Sequence, residues 1–146
     1  MSSIIITPYA TFGPLELGKT TKHECVALLG EPLRTQVSNG GAEEFVYEQF
    51  IVRFDPKKAK VRECTLLPRA KATINGIAVT WDKCFLHSLC EQDRSPRDVY
   101  GFIVFPSLGL AVTGVHDGDE SQLAVTVFSE GEFDDLLPES MPFTGT

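Results

Sequence analysis

Long apolar runs are absent from this chain. The first, Ile4-Ile5-Ile6, stops at Thr7-Pro8, and none later approaches the ~20 apolar residues that take a helix across a bilayer. No basic leader precedes that run, so a secretory signal is not expected; the expected location is the cytoplasm, with no membrane partner. Cysteine is sparse as well, with Cys25, Cys64, Cys84 and Cys90 only. Four cysteines suit a disulfide framework in a short secreted domain. In a cytoplasmic chain of 146 residues they are expected instead as small apolar core residues or free thiols.

Cations are scarce in the second half. Residues 72–146 hold three Lys/Arg against twelve Asp/Glu, a net −9, whereas residues 1–71 hold ten against eight, a net +2; together they give the whole-chain −7. An acidic half repels phosphate and excludes nucleic acid as the expected partner. It favours a basic protein, because complementary fields speed association. The hydrophobic fraction, 42%, is ordinary for a globular protein, and a chain of this length buries about two-thirds of its unfolded surface. One domain over residues 1–146 is expected.

Local patterns give the element order. Ile4 to Phe12 opens with β-branched residues and reads as a strand or extended arm. Thr21 with Glu24 three residues on is a capping box, and Cys25, Val26, Leu28 and Leu29 supply an apolar stripe. Gly30 and Pro32 then stop the helix, which the spacing predicts over 21–29. Strand-like runs follow at 44–48, 50–54 and 61–67, the last after the turn Asp55-Pro56-Lys57-Lys58. The second half repeats this order. Residues 72–79 read as strand with a turn at Asn75-Gly76, 81–91 as helix with Trp81, Phe85 and Leu89 four apart, and 99–105, 108–115 and 122–128 as strands. At an offset of 60, Cys25, Leu29 and Glu31 fall on Phe85, Leu89 and Glu91. The expected fold is α+β: a duplicated β-α-β-β-β unit, with pseudo-repeats at about 1–71 and 72–146. The strands form a mainly antiparallel sheet with short helices on one face, because either half-sheet alone is too small to bury its apolar side.

Four patterns invite a chemical reading. Cys84-x-x-His87-x-x-Cys90 offers soft ligands, but on a helix the thiols stand roughly 9 Å apart along the axis. Zinc wants three or four converging donors, so a solvated helix flank is expected. A Cys–His nucleophile needs an imidazole or positive charge beside the thiol, and His23 lies opposite the Cys25/Leu29 side of its helix. Asp117-Gly118-Asp119-Glu120 lacks the ligand spacing of a calcium loop and reads as a hairpin turn. Gly13-Pro14-Leu15-Glu16-Leu17-Gly18-Lys19-Thr20 matches G-x-x-x-x-G-K-T literally. Its interior is nevertheless unfit for phosphate, since Pro14 has no amide and Glu16 would oppose the charge. Neither catalytic residues, nor a metal, nor a cofactor is expected.

The acidic C-terminal region offers the better functional feature. Asp117, Asp119 and Glu120, with Glu130, Glu132, Asp134 and Asp135 around Phe133, set apolar anchors among charges, as a docking surface for a basic protein would. Leu17-Gly18-Lys19-Thr20-Thr21 and Cys25-Val26-Ala27-Leu28-Leu29-Gly30-Glu31-Pro32, followed by Tyr47 and Val52-Arg53-Phe54-Asp55, resemble the helix-and-strand motif of β-lactamase-inhibitor-like and small outer-membrane-assembly lipoprotein modules. That resemblance covers about the first 55 residues and implies protein–protein contact. The run Phe105 to Asp119 resembles bacterial cytoplasmic proteins, some of them immunity proteins encoded beside secreted toxins. Together these imply a non-catalytic bacterial immunity protein that binds and neutralises a cognate, basic toxin or effector. The alternatives are a housekeeping or assembly adaptor and, third, a Cys/His enzyme.

Overall fold

The computed structural model describes residues 3–38, 40–93, 95–99, 102–115, 118, 123–129 and 141–142. In the first unit β1 (Ile4–Thr7), β2 (Thr11–Phe12) and β3 (Leu15–Glu16) precede helix α1 (Lys22–Leu29). Four strands follow: β4 (Arg34–Val37), β5 (Glu43–Val46), β6 (Phe50–Phe54) and β7 (Val61–Leu66). The second unit opens with β8 (Ala72–Ile74), β9 (Ile77–Ala78) and helix α2 (Lys83–Gln92). It continues through β10 (Arg97–Val99), β11 (Phe102–Phe105), β12 (Leu110–Thr113) and β13 (Ala124–Phe128), and β14 (Met141–Pro142) comes last. The fold is α+β and is built on a duplicated unit.

Among the described residues the large sheet has nine antiparallel strands in the order β14-β10-β11-β12-β13-β7-β6-β5-β4. Its seam is the β13·β7 pair. Moving outward from the seam, β12 mirrors β6, β11 mirrors β5 and β10 mirrors β4, as a two-fold relation between the units requires. At the seam the hydroxyls of Thr65 and Thr126 meet at 3.1 Å, 61 residues apart. The N-caps Thr21 and Asp82 are separated by the same interval, one more than the offset the sequence suggests.

One shared sheet was the expectation; the leading strands form a second. Its order is β3-β2-β1-β8-β9, with β1 parallel to β8 through Ile4↔Ala72, Ile5↔Thr73 and Ile6↔Ile74. The runs 4–12 and 72–79 are each broken into hairpins, because Tyr9 turns at φ +57, and Asn75 and Gly76 turn at +50 and +85. A second difference is in the large-sheet strands after each helix: three were expected, and the described residues form four after α1 and five after α2. β4 escapes the pattern because all of Arg34–Val37 is exposed, so it shows no apolar alternation. The run 99–105, which reads as one strand, is two, β10 and β11, and Val99 pairs with Phe102 across an antiparallel ladder.

Period-2 alternation decides which side of the large sheet is covered. Phe45, Val52, Phe54, Cys64, Leu66, Leu110, Val112, Val125 and Val127 all point to one side. There they share a core with Cys25 of α1 and with Phe85, Leu86 and Leu89 of α2. Both helices therefore lie on the same face. Burying each such Phe or Leu stabilises the fold by roughly 1.5–3 kcal/mol. A bulge protects this pattern: pairing slips between Arg53 and Phe54, so that Val61 rather than Arg62 stands opposite Phe54.

The helix ends are set by side chains. In α1 the Glu24 amide donates to the Thr21 hydroxyl at 3.2 Å, and the Thr21 amide donates to the Glu24 carboxylate at 3.0 Å. Gly30, at φ +86, ends the helix by donating to the Val26 carbonyl at 2.8 Å. Thr21→Ala removes an acceptor for an orphan amide and is expected to cost about 1 kcal/mol, a fall of roughly 3 °C in thermal midpoint. The Thr21 backbone and hydroxyl bonds hold the Glu24 carboxyl below its ordinary range. The box therefore contributes above the ordinary glutamate value and is lost as pH falls through the lowered one. The penalty of Thr21→Ala should shrink in acid, which melting curves across pH would show. In α2 the Asp82 carboxylate accepts from the Phe85 amide at 3.1 Å. At its far end the buried Asp93 accepts from the Ser95 and Ser107 amides at 2.9 and 2.8 Å, tying the helix to the β11–β12 turn. No helix among the described residues is long and apolar enough to cross a membrane.

Candidate functional site

The G-x-x-x-x-G-K-T match at 13–20 spans the β2–β3 turn, β3 and the loop before α1, and its amides make internal bonds. Gly13 donates to the Ile5 carbonyl at 2.9 Å, Leu17 to Ala10 at 2.8 Å and Gly18 to Val61 at 2.6 Å. Lys19 and Thr20 both donate to Glu16, at 3.2 and 3.0 Å. The Glu16 amide donates to the Thr20 hydroxyl at 2.8 Å, and Leu15 is fully buried. No row of free amides faces outward to cradle phosphate.

The thiols divide by burial. Cys25 and Cys64 are completely buried, and burial pushes both up, Cys64 strongly. The Cys25 sulfur lies 3.7 Å from the Tyr47 hydroxyl, and that hydroxyl donates to the Gly30 carbonyl at 2.9 Å. The pair thus fastens α1 to the end of β5. On α2 Cys84 is exposed and Cys90 is half-buried against the core. His87 is exposed and lies 3.3 Å from Glu91 one turn on, while His23 is exposed on α1. Among the described residues no three His, Cys, Asp or Glu side chains converge to hold a metal ion. Because the thiolate is the reactive form, a thiol reagent at neutral pH should label Cys84 fast and Cys90 more slowly. Cys25 and Cys64 should react only on unfolding, and four fast thiols in the native protein would contradict this packing.

Of the residues expected to dock a partner, Asp117, Asp119, Glu120, Glu130, Glu132, Phe133, Asp134 and Asp135 all lie outside the described residues. The Asp-Gly turn reading agrees with its one described member. Gly118 adopts φ +70 between β12 and β13, which pair antiparallel.

The structure adds a feature the sequence reading missed, on the sheet face opposite the helices. Pairing aligns Gln36, Glu44, Arg53 and Glu63 across β4 to β7, ending against Phe128 of β13. Glu44 and Glu63 are each only 5% exposed. Arg53 lies between them: its Nε donates to Glu44 at 2.7 Å and a terminal nitrogen reaches Glu63. Gln36 donates to the other Glu44 oxygen at 2.7 Å. A signal for this row exists, since Arg53 separates the apolar Val52 and Phe54 and must face away from them. Which carboxylates it meets depends on register. Further along the same face, Val99, Val104, Ala111 and Phe128 form a small apolar cluster with Tyr9 packed on it.

Fold and surface together define a duplicated α+β protein with one helix-covered sheet face and one face crossed by a charged row. Comparison with known proteins gives no match: no family model fits the chain, and no curated protein or solved structure is similar to it.

Proposed function

We propose that this chain is a non-catalytic protein-binding protein, and specifically a cytoplasmic immunity-type protein that binds and neutralises a cognate basic toxin or effector. The observation that supports this most is the uneven charge, −9 over residues 72–146 against +2 over 1–71. A field confined to one unit orients a basic partner as it approaches and raises the association rate. Apolar Phe133 and Leu136 among acids supply the anchors that a field alone lacks. The resemblance of residues 105–119 to immunity proteins supports the toxin as the class of partner.

The test is co-expression with the product of the adjacent gene. A tight one-to-one complex that restores growth supports the reading. Reversing Asp117, Asp119 and Glu120 to Lys should slow association at least ~10-fold at low salt and much less at high salt, where such steering is screened. An association rate unmoved by the reversal removes that surface. Recovery of abundant housekeeping proteins alone favours an adaptor.

A further inference from the structure

The duplication creates two equivalent sheet edges, β10 and β4, and the protein treats them differently. β10 is covered by its own chain, since β14 pairs with it through Arg97↔Pro142 and Asp98↔Met141. β4 ends the sheet, and no described strand pairs with its outer side. We propose that this edge is the site of self-association, where β4 of one copy adds antiparallel to β4 of a second.

Three observations point to a second copy. The first is the hydrogen-bonding pattern. The Ser38 amide donates inward to the Ala42 carbonyl at 2.8 Å, and β4 pairs with β5 through Arg34↔Val46 and Gln36↔Glu44. Antiparallel alternation then turns the N–H and C=O of Thr35 and Val37 outward. Those groups complement themselves. With Thr35 opposite the second copy's Val37, and Val37 opposite its Thr35, four backbone bonds close across a two-fold axis. Gln36 meets its own copy on that axis, in the narrow pair where side chains touch.

The second is apolar exposure. Leu33 and Val37 are the most exposed large apolar side chains among the described residues, at 72% and 70%. Both are on the helix side of the edge. In this register each Val37 packs against Thr35 opposite and Leu33 on the diagonal. β4 has no Pro, and its single charge, Arg34, stands at its first residue, away from Thr35 to Val37.

The third is charge. β4 belongs to residues 1–71, net +2, so pairing through this edge brings together the half of lower net charge. An isologous pair of this kind closes on itself rather than growing into a fibre.

Sedimentation across a concentration series tests this on the full chain. The expected result is a monomer–dimer equilibrium. Thr35→Pro deletes an outward donor while leaving the inner ladder intact, removing two of the four bonds per dimer. It should weaken dimerisation on the order of 30-fold. Val37→Lys leaves the backbone untouched and should weaken it too, covering the case in which the proline variant fails to fold. With Cys84 and Cys90 replaced by Ser, Gln36→Cys should form a symmetric disulfide on mild oxidation. A wild-type chain that stays monomeric at about 1 mM overturns the proposal, as does a dimer that neither foldable variant weakens. So does a Gln36→Cys chain that does not cross-link.

Discussion

Arg53→Met lowers the stability of this protein by about 3 kcal/mol, although it alters neither of the carboxylates beside it. Glu44 and Glu63 are 5% exposed and face each other across β6 with Arg53 between them. Removing one member of a buried charged set typically costs about 3–5 kcal/mol, because the charges left behind have neither water nor partner. Arg53 is 37% exposed, so the solvent already screens part of the interaction and the lower end of that range applies. Methionine keeps the apolar stem, which separates charge from packing. Urea unfolding measures the loss. Adding Glu44→Gln and Glu63→Gln to Arg53→Met should recover most of it, since the uncompensated charge is then gone. A loss below about 1 kcal/mol would make the row an ordinary surface ion pair.

Gly109→Ala costs about 2–3 kcal/mol for two reasons that a second substitution separates. Gly109 sits at φ +65, a conformation that alanine adopts at about 1–2 kcal/mol. A methyl there would lie 2.9 Å from Cδ1 of Tyr9 and 3.0 Å from its Cγ and Cε1. The ring cannot simply swing away. Its hydroxyl donates to the Pro106 carbonyl, and its edge meets Phe128 at 5.9 Å and 71°. Tyr9 thus hooks over the turn between β11 and β12 and pins the small sheet to the large one. Tyr9→Ala should therefore cost about 1–2 kcal/mol less in the Gly109→Ala background than in the wild type, because the overlap has gone. Additive costs would place the whole effect in the backbone of Gly109.

Both effects depend on contacts between distant parts of the chain, and this marks where the sequence stops being legible. Thr21 with Glu24, Gly30 and Pro32 fix α1 within one or two residues of where it forms, because a cap and a stop act across a single turn. Alternation in Phe50–Phe54 and Val61–Leu66 is local in the same way, and these strands form as read. The duplication was legible too, since it repeats such local signals at a near-constant interval. The candidate docking acids came from charge alone and lie outside the described residues, so no contact supports or opposes them.

By itself, then, the sequence determined the α+β class, the two helices, most strands and the concentration of negative charge in one unit. Only the tertiary structure decided that β1 pairs in parallel with β8 in a second sheet and that β7 meets β13 at the seam. It alone set Arg53 between two carboxylates, and it left the outer side of β4 unpaired among the described strands while β14 covers its counterpart. Caps, turns and alternation are settled by neighbours a few residues away. Sheet order and register are settled by which of many possible strand pairings buries the most apolar surface at once, and that competition runs over the whole chain.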